Sequence, residues 1–168
     1  DQLLANRSPQ QWEHYPHDDA IDMLNGYQWF YHSHSPEDRL GSSEHGHIHL
    51  FARRGLWSRR LKSHAEADFE KICGMHKIQT DTRHLLSIGL SSKGVPISLF
   101  TVNSRVTGDL MLSAKLTMEL LASIRLNTGH CNVDTVIESV ILLCLPEIQK
   151  LMDLRDATLA SYPGANIL

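Results

Sequence analysis

The sequence predicts an α+β fold: an antiparallel sheet of about four strands, paired as two hairpins, with C-terminal helices packed on one face. Three features carry that expectation. "GYQWFYHSH" and "HGHIHLFAR" flank one polar loop and read as strands, the first rich in aromatics. "HLLSIGLSSKGVPISLFTVN" reads as strand, turn, strand, with Ser92-Lys93-Gly94 at the turn. After Thr107-Gly108-Asp109 the pattern changes, and apolar residues fall at helical spacing to the end of the chain.

Taken in order, residues 1–24 read as a short amphipathic helix and a turn. Ser8 is placed to cap it, Pro9 fits its first position, and Tyr15-Pro16 ends it. The first strand follows, then the loop "SPEDRLGSSE" with its Pro, Gly and three Ser, then the second strand. "SHAEADFEKICGMH" has weak helical character. The second hairpin precedes "LMLSAKLTMELLASIRL" and "VDTVIESVILLCLPEIQKLMDLRDATLAS". Asn132 or Asp134 can cap the latter, and Pro146 kinks or breaks it. There is no internal repeat and no low-complexity tract.

At 168 residues and 19.0 kDa, the chain fits a single domain over residues 1–168 with a real core. Net charge is -3 and the pI is about 6.4, so no basic field marks nucleic acid as a partner. Cys73, Cys131 and Cys144 are odd in number, far apart and in no CxxC pair. They read as reduced thiols of a cytoplasmic protein. No apolar run has membrane-spanning length, and no signal-peptide pattern opens the chain. The chain begins without Met, which leaves export open.

The window from Phe30 to Arg53 holds five of the chain's 11 histidines: His32, His34, His45, His47 and His49. Alternation along a strand puts His32 and His34 on one face, and His45, His47 and His49 on one face of the next. An antiparallel pairing brings the two sets together, with opposed Cβ atoms about 4.5–5.5 Å apart. Imidazoles at that spacing can converge on one ion. Two registers fit: His34 opposite His45 with His32 opposite His47, or a slip of two residues. Three histidines of one strand span too far to ligate one ion, so at least one supports the others or serves a second site. His84, at the start of the third strand, can add a ligand.

Glu44 can ligate the metal, act as general base, or orient a ligand imidazole. Arg39 and Arg105 can bind an anionic substrate, or serve as ordinary salt-bridge partners. Without metal, the five histidines would form a polar, pH-sensitive face. His14, His17, His64, His76 and His130 read as surface residues, with "WEHYPHDD" as a weaker second metal site or a lid. GxGxxG, GxxxxGK[ST], GxSxG and HExxH are absent. "VIESVILLCLPEI" reads as core, or as a homodimer face.

The chain resembles an uncharacterised bacterial family, a domain of unknown function with YHxH, EHGHxHxF and NxxVTG motifs. The matching positions are Tyr31, His32 and His34; Glu44, His45, His47, His49 and Phe51; and Asn103, Val106, Thr107 and Gly108. The resemblance spans roughly residues 12 to 109 and implies no particular activity. The HxH element also looks like that of cupins and carbonic anhydrases, but the glutamate that cupins place after HxH is missing.

The expected function is a histidine-rich metalloprotein. The first expectation is a non-haem oxidoreductase using iron or copper on a small molecule. The alternatives are a zinc-dependent hydrolase or lyase, a non-catalytic metal- or haem-binding sensor or carrier, and a binding module with a histidine pH switch.

Overall fold

The computed structural model describes residue 4 and residues 10–34, 43–61, 63–72, 80–102 and 110–161. Five strands form one antiparallel sheet in the order β1-β2-β3-β4-β5: β1 Tyr15–Ile21, β2 Tyr27–Ser33, β3 Glu44–Arg53, β4 Thr82–Ser91 and β5 Pro96–Phe100. A two-residue strand, β6 Leu110–Met111, runs parallel to the start of β4. Helices α1 Arg54–Trp57 and α2 His64–Ile72 lie between β3 and β4. Helices α3 Ala114–Ala122, α4 Cys131–Leu143 and α5 Leu145–Ser161 follow the sheet. The α+β class and the C-terminal helices are as the sequence predicts.

The sheet has one more antiparallel strand than the expected four. The addition is β1, at residues read as the end of a helix and a turn. It pairs with β2 through Tyr15↔Tyr31, Ala20↔Trp29 and Ile21↔Gln28. An edge strand tolerates the missing N–H of Pro16, and its outward face can be as polar as His17 and Asp18 make it. Ser8 and Pro9 lie outside the described residues.

Both predicted hairpins form. β2 pairs with β3 from Tyr27↔Ala52 to Ser33↔Gly46. β4 turns into β5 with the Ser91 N–H donating to the Val95 carbonyl at 2.9 Å, and Gly94 takes a φ of 74° that suits glycine. β3 and β4 also pair along most of their length, which joins the two hairpins into one sheet.

One face of that sheet is apolar. Tyr27, Trp29, Tyr31, Ile48, Leu50, Ala52, Leu86, Ile88 and Leu90 form a single core with Leu116, Leu120 and Leu121 of α3, Ile137 and Ile141 of α4, and Ile148 and Met152 of α5. Each fully buried Leu or Ile contributes about 1.5–3 kcal/mol. Two polar bonds lock the helices to the sheet. The Tyr27 hydroxyl donates to the Leu120 carbonyl at 2.9 Å, and Trp29 Nε1–H donates to Asp134 Oδ1 at 2.8 Å. Asp134 also accepts from the Thr128 N–H and hydroxyl. It therefore braces the first turn of α4 and the loop before it, while His130 occupies the cap position without a side-chain bond. Pro146 stands at the second residue of α5, where a missing N–H costs no helical bond, so it separates two helices. No described helix is long and apolar enough to cross a membrane.

Burial pushes the Tyr27 phenol up to about 12, above the ordinary value of 10. A raised pKa adds stability that is complete below the unfolded value and lost as pH rises through the folded one. Urea denaturation should therefore show stability falling between pH 10 and pH 12, with up to about 1.4 kcal/mol per unit from this group. Tyr27→Phe should remove that share of the slope and cost about 1 kcal/mol at neutral pH for the lost hydrogen bond. An unchanged slope in the variant would disprove the assignment.

Candidate metal centre

The opposite face of the sheet carries the histidines. The observed register sets His32 opposite His47 and Phe30 opposite His49, with the His34 N–H donating to the His45 carbonyl at 3.1 Å. This is the first of the two registers that the sequence allows. His32, His47 and His49 are buried.

His32, His34 and His47 form a cluster in which one ligand nitrogen from each lies within 4.8 Å of the others, an arrangement that could hold a metal ion. His32 Nε2 and His47 Nε2 are 2.8 Å apart. Two imidazoles on one tetrahedral ion with bonds of about 2.0–2.1 Å stand about 3.3 Å apart, so the pair must open by about half an ångström to admit one.

Glu44 fixes the orientation of His47. Its Oε1 is 2.9 Å from His47 Nδ1, and both side chains are almost fully buried. A carboxylate only accepts, so His47 carries its hydrogen on Nδ1 and its lone pair on Nε2, facing His32. Ser98 donates to Oε2 of the same carboxylate at 3.0 Å. This is the imidazole–carboxylate arrangement that orients metal-binding histidines. Of the three roles the sequence allows Glu44, its contacts match the orienting one.

Beside the cluster, His49 Nδ1, His84 Nε2 and the Ser87 hydroxyl form a closed triangle with sides of 3.2, 3.1 and 3.0 Å. Burial pushes His84 down to about 3, and Arg155 and His47 add to the effect. His49 is lowered by burial first, and then by the surrounding histidines. Both imidazoles are neutral at physiological pH. Phe30, Phe51 and Phe100 pack against rings of this face.

Two bulges decide which residues reach it. β3 and β4 pair Glu44↔Ser91 and then Gly46↔Leu90, which leaves His45 as an extra residue. The bulge breaks the alternation that would have set His45 beside His47 and His49. His45 turns to the other face, where its Nδ1 is 2.9 Å from the Tyr31 hydroxyl. The expectation that all three share one face is corrected here. The same bulge brings Glu44 onto the histidine face. A second bulge, at Leu85 between the pairs Leu50↔Leu86 and Phe51↔His84, turns His84 onto that face as well.

Two glycines make room. A Cβ on Gly89 would strike the Ser98 hydroxyl and the Glu44 carboxylate, so only glycine lets Glu44 reach across β4. A Cβ on Gly46 would lie 2.5 Å from the Tyr31 hydroxyl. Burial pushes the Tyr31 phenol up to about 12, with Tyr15 and Glu44 contributing, so it stays protonated beside His45.

Arg39 and Arg105, and the motif positions Asn103, Val106, Thr107 and Gly108, lie outside the described residues. His17 pairs with Asp18 on the surface, as expected. His14 is exposed, as expected, and also borders the site: it stacks on Phe30 with ring centroids 3.6 Å apart, and its Nδ1 is 2.8 Å from Asp19. Trp12 meets the rings of His32 and His34 edge-on at 5.9 and 5.2 Å. Part of "WEHYPHDD" therefore borders the cluster. Sequence reasoning missed Ser87, Gly89, Ser98 and Phe100. The one available signal was Gly89 itself, an isolated glycine inside a strand pattern.

A family model described as "Domain of unknown function (DUF6969)" matches residues 1–167. No curated protein and no solved structure matches the chain.

Gly46→Ala should destabilise the protein by at least about 1–3 kcal/mol, the range for overpacking a tight interior. The readout is a lower urea midpoint at unchanged slope. A midpoint equal to wild type would show that β2 and β3 do not approach as described.

Proposed function

The chain belongs to the DUF6969 family, and we propose that residues 1–168 are one metal-binding domain in which His32, His34 and His47 hold a transition-metal ion. The convergence of these three imidazoles, with a buried carboxylate on the far nitrogen of one, carries the reading. Three protein ligands leave coordination positions for a small molecule. Closed structural sites use four ligands, commonly thiolates; the two described cysteines, Cys131 and Cys144, stand at the two ends of α4, and Cys73 lies outside the described residues.

The reaction this supports best is that of a non-haem oxidoreductase using iron or copper on a small molecule. Imidazole suits both metals, which would supply electron-transfer chemistry when bound. The chain's own groups position the ligands and limit water: Glu44 holds His47, and Phe30, Phe51 and Phe100 wall the face. Both Glu44 oxygens are engaged, by His47 and by Ser98, so this carboxylate is not placed as the general base of a hydrolase. A zinc-dependent hydrolase or lyase is the second reading, because three neutral imidazoles are also a donor set that zinc uses catalytically. Val136, Leu142 and Leu143 of α4 are exposed and support a homodimer formed through the C-terminal helices.

Elemental analysis of protein purified without a histidine tag tests the reading. At least one equivalent of iron or copper is expected, and His47→Ala should lose it. Zinc in its place would favour the hydrolase or lyase. Protein that folds and takes up none of these metals would end the proposal. Glu44→Gln should weaken metal affinity by about 10–100-fold, the usual cost of losing an orienting carboxylate. An unchanged affinity would remove Glu44 from the site.

A further inference from the structure

A cavity of about 310 Å³ lies between the end of β5, β6 and α5. Met111 of β6 and Leu151, Leu154 and Leu159 of α5 give it apolar walls, and no described histidine lines it. Its polar lining is Thr101, Arg155 and Thr158. Small-molecule sites have this make-up: concave, mostly apolar, with a few placed polar groups. At about 30 Å³ per water, the volume has room for about ten non-hydrogen atoms.

Arg155 is the lining group with hydrogens to spare. Its side chain is only 8% exposed. Nε and Nη2 donate to Asp156 Oδ1 at 2.9 and 2.7 Å, and Nη2 also donates to the Leu112 carbonyl at 2.6 Å. Nη1 has no acceptor among the described residues. Thr158, by contrast, spends its hydroxyl hydrogen on the Leu154 carbonyl at 2.8 Å. A buried donor without an acceptor costs free energy, and folded proteins leave few of them. An acceptor atom held in the cavity would satisfy this one.

Charge decides which acceptor. Asp156 already balances the guanidinium, and its other oxygen accepts from the Ala114 N–H at 2.6 Å. Buried Glu66 brings a second carboxyl to the same corner, where it accepts from the Ser113 N–H and hydroxyl. An anionic ligand would add another acid beside a single cation, at the desolvation cost of an unpaired charge. A carbonyl oxygen accepts without bringing charge. We propose that this cavity binds a neutral, largely apolar small molecule of about ten non-hydrogen atoms, whose carbonyl oxygen accepts from Arg155 Nη1. The site uses none of the proposed metal ligands, so it stands or falls apart from the metal centre.

The test is a methyl-resolved NMR titration of the full chain, as purified, with octan-2-one, a straight-chain ketone of this size. Saturable shifts at Met111, Leu151 and Leu159 are expected, with a Kd below about 1 mM. Octanoate, of equal chain length, should bind at least about 10-fold more weakly. Arg155→Met should weaken ketone binding by about 10-fold. Leu154 is 66% exposed, so Leu154→Asp should keep the fold and weaken the ketone by about 5-fold. Should Arg155→Met not fold, Leu154→Asp decides the location and octanoate decides the head group. No saturable shift, or shifts confined to residues away from the cavity, would overturn the proposal. So would octanoate binding as tightly as the ketone, or wild-type ketone affinity in Leu154→Asp or in folded Arg155→Met.

Discussion

The pleat of a β-strand sends successive side chains to opposite faces, and the chemistry of this sheet depends on where β3 and β4 break that rule. Unbroken alternation would set Glu44 and His84 on the face packed against the helices. There, a carboxylate and an imidazole would be buried among leucines with little to offset their desolvation. The extra residues His45 and Leu85 reverse the parity at one end of each strand. Glu44 then reaches His47, and His84 reaches His49, while Ile48, Leu50, Leu86 and Ile88 stay in the core.

Close approach follows from the same geometry. Residues aimed at one face from neighbouring strands compete for space, and the chain resolves the competition with glycine. Gly89 sits between His47 of β3 and Ser98 of β5, and its missing side chain is the gap through which Glu44 crosses. Gly46 does the same on the other face for the Tyr31 hydroxyl. Glycine in a strand interior weakens the strand. The flanking pairs and the helices behind the sheet offset that loss, through the large aromatic core of Tyr27, Trp29 and Tyr31.

The aromatics near the histidines thus divide between two jobs. Tyr27 and Trp29 anchor the sheet to α3 and α4, Tyr31 packs in the same core with its hydroxyl on His45 of β3, and none of the three takes part in the histidine face. Phe30, Phe51 and Phe100 border the imidazoles and dry their surroundings, which strengthens any bond between an ion and its ligands. One strand can serve both purposes because its two faces are chemically independent at a period of two.

The sequence by itself determined the fold class, the two hairpins, the C-terminal helices and the partnership of His32 with His47 in one of two registers. Each of these rests on local periodicity or turn chemistry, which the chain writes in consecutive residues. β1 escaped because an edge strand carries few of its own apolar contacts, and Tyr15-Pro16 made it read as the end of a helix. Only the tertiary structure decided that His45 leaves the cluster, that Glu44 and His84 join it, and that Ser87, Ser98 and Phe100 complete its surroundings. A bulge is a relation between two strands rather than a property of either. Its position follows from how both pack against a shared core, and no local pattern in one strand contains it.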